Sequence, residues 1–85
     1  MSRDEISARV IAVIAKTQHL DPASIQPEST FEGLGLDSLD GINIAFGLES
    51  EFDVNIPDDA LPKLRSVADI TDGIARLLEA KEASA

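Results

Sequence analysis

Cysteine is absent from this 85-residue chain, so disulfides, thiolate metal sites and cysteine nucleophiles are all excluded. Any thiol chemistry has to arrive on a prosthetic group. His19 is the only histidine, which leaves an enzyme a single imidazole to work with. It lies just past the first predicted helix and reads as a surface or helix-terminal residue. No apolar run approaches membrane-spanning length. Met1-Ser2-Arg3-Asp4-Glu5 carries acids where a secretory signal would carry a basic run, so the expectation is a soluble cytoplasmic protein.

Positive charge is missing from the middle of the chain. Between Lys16 and Lys63 there is no Lys or Arg, while Asp21, Glu28, Glu32, Asp37, Asp40, Glu49, Glu51, Asp53, Asp58 and Asp59 are acidic. The formal net charge is -9. Such a field repels nucleic acid and anionic lipid and attracts basic protein surfaces. Hydrophobic residues make up 44% of the chain and are spread along it, which favours a folded globule over disorder. A chain of this length forms one small domain, 1–85, that buries only about 60 to 65% of its unfolded surface.

Helical periodicity dominates what is present. Ile6, Val10, Val13 and Ile14 recur at helical spacing, so a helix is predicted over roughly Arg3 to Lys16, with Ser2 and Glu5 in a capping-box pattern. A connection of about twenty residues follows, containing Pro22, Pro27, Gly33 and Gly35. A loop that long has to pack down or serve a function, and Ile25, Phe31 and Leu34 are its apolar anchors. A second helix is predicted from Asp37 to Phe52, with Asp37 as cap and Asp40 as the reciprocal acid. Its apolar residues span roughly 220° at about 100° per residue, more than one buried face needs. It is therefore either central in a bundle or carries apolar surface for something beyond the core. Val54-Asn55-Ile56-Pro57 breaks it, Pro62 limits Asp58–Leu64 to a turn or two, and Ser66 with Asp69 opens a last helix on Val67, Ile70, Ile74, Leu77 and Leu78. The tail Ala83-Ser84-Ala85, from about residue 82, is expected to fray. No strand is predicted. The fold class is all-α: a small antiparallel bundle of three longer helices and one short one, with a long first loop.

Ser38 is the residue that this pattern singles out. It falls in the first turn of the second helix, where backbone N–H groups point outward unpaired, behind the flexible lead-in Gly33-Leu34-Gly35-Leu36. That placement presents a hydroxyl for another enzyme to modify, and a phosphodiester there would meet a favourable dipole and free donors. Asp37-Ser38-Leu39 lacks the G-x-S-x-G elbow of serine hydrolases, so Ser38 is not read as a catalytic nucleophile. Asp58-Asp59 has no metal-ligand spacing around it, and no metal site is expected.

Leu34-Gly35-Leu36-Asp37-Ser38-Leu39-Asp40 resembles the attachment motif of acyl carrier proteins. Leu48-Glu49-Ser50-Glu51-Phe52-Asp53-Val54-Asn55-Ile56-Pro57-Asp58 resembles the end of that family's second helix and its acidic, proline-marked turn. The likeness runs essentially ungapped from the first helix to about Lys81. The resemblance implies a carrier rather than an enzyme. It implies that Ser38, flanked by Asp37 and Leu39, receives 4'-phosphopantetheine from coenzyme A, and that the thiol of that arm holds acyl groups as thioesters. Leu39, Ile42, Phe46 and Leu61 are the candidates for an acyl cavity. Asp37, Asp40, Glu49, Glu51 and Phe46 are the candidates for docking partners. Those partners would be a phosphopantetheinyl transferase and acyl-transferring, condensing or ligating enzymes of fatty-acid, lipid or polyketide-type synthesis, bearing basic patches, with the carrier a monomer. Against the common pattern, Asn43 stands in place of an acid, Ser50 interrupts the acidic run, Gly41 and Gly47 each cost about 1 kcal/mol of helix propensity, and Pro62 shortens the third helix. These departures point to a specialised carrier. A peptidyl or aminoacyl carrier shares the bundle and the modified serine and stays open as an alternative, as does an unmodified acidic adaptor.

Overall fold

The computed structural model describes residues 2–84, and the side chains of residues 2–82. Helix α1 spans Arg3–Gln18, α2 spans Ser38–Phe52 and α3 spans Val67–Ser84, with 3₁₀ turns at Pro22–Ser24 and Asp58–Lys63. The antiparallel bundle expected from periodicity is therefore present, and α1 packs against both α2 and α3. The central helix is α1, not α2.

Each helix starts at a polar cap, although the caps differ in detail from the sequence pattern. Ser2 Oγ accepts from the Glu5 N–H at 3.2 Å, one half of the expected box. At α3, Ser66 Oγ accepts from the Asp69 N–H at 3.1 Å, but the Asp69 carboxylate reaches past Ser66 to the Arg65 N–H at 3.2 Å. Helix α1 runs two residues beyond Lys16, because Thr17 and Gln18 continue it. It stops where His19 turns left-handed (φ 57°, ψ 42°) and donates its N–H to the Ala15 carbonyl. His19 is exposed at that helix end, as expected. Asp53 closes α2 in the same way at φ 52°.

The core is built from Ile6, Val10 and Ile14 of α1, Ile44, Leu48 and Phe52 of α2, and Val67, Ile70 and Ile74 of α3. Removing a side chain such as Leu48, 0% exposed, to alanine costs about 2–5 kcal/mol. Gly47 explains how closely α1 and α2 approach. A Cβ there would lie 2.9 Å from Val13 Cγ1 and 3.3 Å from Thr17 Oγ1. The glycine that looked like a softening of α2 is a contact point between helices.

The long first connection packs down. Ile25 is 3% exposed, and Phe31, Leu34 and Leu36 lie half-buried against the core. Gly35 takes φ 76° to make its last turn. The loop is also tied to the start of α3: the Phe31 N–H donates to the Arg65 carbonyl at 2.8 Å and the Val67 N–H to the Ser29 carbonyl at 2.9 Å. This isolated bridge between Thr30 and Ser66 is the one extended pairing among the described residues. Val54–Pro57 interrupts the helices, as expected, and its Ile56 N–H is capped by the Glu49 carboxylate at 2.9 Å. Arg3 pairs with Asp72, and Lys81 Nζ donates to both the carbonyl and the carboxylate of Asp53 at 2.9 Å. The helix α3 backbone extends to Ser84, and Ala85, the end of the tail expected to fray, lies outside the described residues.

Candidate functional site

Ser38 is the first residue of α2 and is exposed. A complete capping box fixes the helix start around it: Asp37 Oδ1 accepts from the Asp40 N–H at 2.9 Å, and Asp40 Oδ2 accepts from the Asp37 N–H at 3.0 Å. The Gly41 N–H goes to the Asp37 carbonyl at 3.0 Å. The N–H groups of Ser38 and Leu39 are thereby left as the open donors of the first turn. An anionic ester on the Ser38 hydroxyl would meet those donors and the positive end of the helix dipole.

From Ser38 an open groove of about 890 Å³ runs into the bundle. Its apolar walls come from all three sides: Phe31 and Leu36 from the loop, Ile42 and Leu48 from α2, and Leu61 from the second 3₁₀ turn. Leu64 and Ile70 complete it. Of the four cavity candidates, Ile42 and Leu61 line this groove. Leu39 and Phe46 do not. They stand 70% and 65% exposed on the outer side of α2, because the helical phase that turns Ile44 and Leu48 inward turns positions 39 and 46 out. The wide apolar arc of α2 thus divides into a core face, a groove edge at Ile42 and an outward apolar pair.

The four acids named as docking candidates all have contacts within the fold. Asp37 and Asp40 cap α2, Glu49 caps the Ile56 N–H, and Glu51 lies 3.7 Å from Arg9. The Arg9 guanidinium also sits 6.0 Å from the centroid of the Phe52 ring. Folding therefore returns basic residues to a span that has none in sequence: Arg9 beside Glu51, and Arg65 on the wall of the Ser38 groove. Sequence reasoning missed Arg65, Leu64 and Ile70 because they come from the far side of the second 3₁₀ turn. What ties them to the loop is the pairing of Thr30 with Ser66, and a one-residue bridge leaves no alternating pattern to read.

Among the described residues no group of three or more His, Asp or Glu side chains is placed to hold a metal ion, and no helix is long and apolar enough to cross a membrane.

A family profile described as the phosphopantetheine attachment site matches residues 8–74. An acyl carrier protein of Thermosynechococcus vestitus is 41% identical over 75 residues, covering 87% of this chain and 93% of the relative. The chain belongs to the acyl carrier protein family. Acyl carrier protein 2, mitochondrial, of Arabidopsis thaliana is 37% identical over 82 residues, covering 95% of this chain. Here the chain spans 65% of the relative's own length. The crystal structure of an acyl carrier protein from Thermotoga maritima superposes with a TM-score of 0.81 at 32% identity, covering 93% of each chain. The cofactor of an acyl carrier protein is covalently attached 4'-phosphopantetheine. The open donors at the start of α2 and the apolar groove beside it suit a phosphodiester-linked arm with an apolar load.

Proposed function

We propose that Ser38 is the attachment residue of this acyl carrier and that the groove beside it shelters the acyl chain between visits to synthetic enzymes. The observation that carries the reading is the exposed Ser38 at a fully capped helix start, opening onto a groove of about 890 Å³ with mainly apolar walls. The arm supplies a terminal thiol, the group this cysteine-free chain lacks, on which acyl groups are held as thioesters. The protein's own part is to hold the serine in the open and to exclude water from the load. Asp37 and Asp40 keep Ser38 at the helix start, and the Ser38 and Leu39 N–H groups face the phosphodiester. Phe31, Ile42, Leu61 and Ile70 exclude water from the acyl chain. No base is required of the carrier, because the transferring enzymes supply the chemistry.

Leu39 and Phe46, exposed between Asp37, Asp40 and Glu51, form the docking surface for the transferase and for acyl-transferring or condensing enzymes with basic patches. The apolar lining favours acyl cargo over aminoacyl cargo. Asn43 and Ser50 thin the acids along α2, which favours dedicated partners over a general fatty-acid system. Efficient loading by general fatty-acid enzymes would sink that last element. Carriage itself is tested by charging the holo protein with an acyl donor and reading intact mass. The expected gain is one acyl group that neutral hydroxylamine removes. An acyl gain that resists hydroxylamine, or that appears equally in Ser38→Ala, contradicts the reading.

A further inference from the structure

The groove that opens at Ser38 is lined by three acids, Glu32, Asp37 and Asp58, and by a single base, Arg65. That base is held in place from its backbone outward. Its carbonyl accepts from the Phe31 N–H at 2.8 Å, its N–H donates to the Asp69 carboxylate at 3.2 Å, and its Nε donates to the Pro62 carbonyl at 3.3 Å. The two terminal amino groups of the guanidinium have no partner among the described residues. In a chain of net charge -9, with three acids around the same groove, that is an unspent cation. Arg3, Arg9 and Lys81 each meet a carboxylate, and of the four bases without such a partner among the described residues, Lys16, Lys63, Arg65 and Arg76, only Arg65 lines this groove.

We propose that Arg65 is an anion-holding residue of the Ser38 groove, pairing through its free guanidinium edge with an anionic oxygen of the loaded arm. The proposal rests on the carrier reading of Ser38. A planar guanidinium fixed at one nitrogen offers its remaining donors as a fork to a phosphate or carboxylate. Two sources fit that chemistry: the phosphodiester of the arm, or a carboxylate on the cargo, as in the half-thioester of a short dicarboxylic acid. The acids around the groove disfavour any anion that Arg65 does not meet. With the cation in place, the groove accepts charged cargo that its apolar walls would otherwise reject.

The test follows the terminal Nη–H resonances of Arg65 through four forms: apo, holo, holo bearing a neutral short acyl group, and holo bearing a dicarboxylic half-thioester of matching length. Intact mass establishes loading first. The Nη–H resonances of Arg76, which lies midway along α3 and does not line this groove, serve as the internal control. A shift of Arg65 and slowed exchange with solvent on going from apo to holo assign the phosphodiester. A change confined to the dicarboxylic form assigns the cargo carboxylate. In either case Arg65→Gln abolishes the accompanying change in the arm's ³¹P or cargo carboxylate signal, and Arg65→Lys restores part of it. Loading on Ser38 with an Arg65 resonance that is the same in all four forms overturns this proposal alone. Absence of loading overturns the carrier reading and this proposal with it.

Discussion

Alanine at Gly47 and alanine at Gly41 make the same chemical change in the same helix, and the structure assigns them opposite outcomes. Either substitution gains about 1 kcal/mol of helix propensity. At Gly41 the new Cβ meets only the Phe31 ring edge at 3.4 Å, an ordinary contact, so Gly41→Ala is expected to stabilise the fold by about 0.5–1 kcal/mol. At Gly47 the new Cβ arrives 2.9 Å from Val13 Cγ1 and 3.3 Å from Thr17 Oγ1. Val13 is β-branched and stiff at χ1 within a helix, so α1 and α2 have to part. Overpacking of this kind costs about 1–3 kcal/mol, which cancels or exceeds the propensity gain. Gly47→Ala is therefore expected to lie up to about 2 kcal/mol below wild type, and about 1–3 kcal/mol below Gly41→Ala. For a domain of this size each kcal/mol corresponds to about 4–8 °C in Tm. Equilibrium urea unfolding reads the difference as a change in midpoint at constant slope. If both variants are stabilised equally, close approach at Gly47 is not what holds α1 against α2.

Three further outcomes follow. Leu39→Ala and Phe46→Ala remove side chains 70% and 65% exposed, so each should change stability by less than about 0.5 kcal/mol while weakening transferase binding in a titration; unfolding of either variant would mean that these residues belong to the core. Asp53→Gly keeps the Lys81 bond to the residue-53 carbonyl and relieves a left-handed φ of 52°, so it should be neutral to stabilising by up to about 1 kcal/mol; a larger loss would show that the exposed Lys81 pair matters more than such pairs do. Moderate salt should raise Tm, because sixteen acids face seven bases and screening relieves the excess more than it weakens exposed pairs such as Arg3–Asp72, Arg9–Glu51 and Lys81–Asp53; a flat titration would make the repulsion negligible.

The helices and their starts were legible because local rules govern them. Ser2, Asp37 and Ser66 are each followed by an acid three residues on, and the Ile6, Val10, Ile14 and Val67, Ile70, Ile74 stripes mark single buried faces. Ser38 was legible for the same reason: its position in the first turn follows from Asp37 as cap. What sequence could not supply is what non-local packing decides. Nothing near Gly47 in the chain reveals that Val13 and Thr17 will close on it. Leu39 and Phe46 are the same residue types as the buried Leu48 and Phe52, and only the position of α1 determines which of them turn outward. The Asp69 carboxylate accepts from the Arg65 N–H and not from the expected Ser66 N–H, beside the point where residues 65–67 pair with the loop. Arg65 belongs to the Ser38 groove through that same pairing, across a sequence gap that no periodicity spans.

Attachment at Ser38 is tested most directly by intact mass after incubation with coenzyme A and a phosphopantetheinyl transferase, comparing wild type with Ser38→Ala. Carriage on Ser38 requires the gain of one phosphopantetheine arm by wild type and none by the variant, whose folded helical spectrum should be unchanged because residue 38 is exposed. No gain by wild type with several competent transferases, or an equal gain by Ser38→Ala, would contradict it.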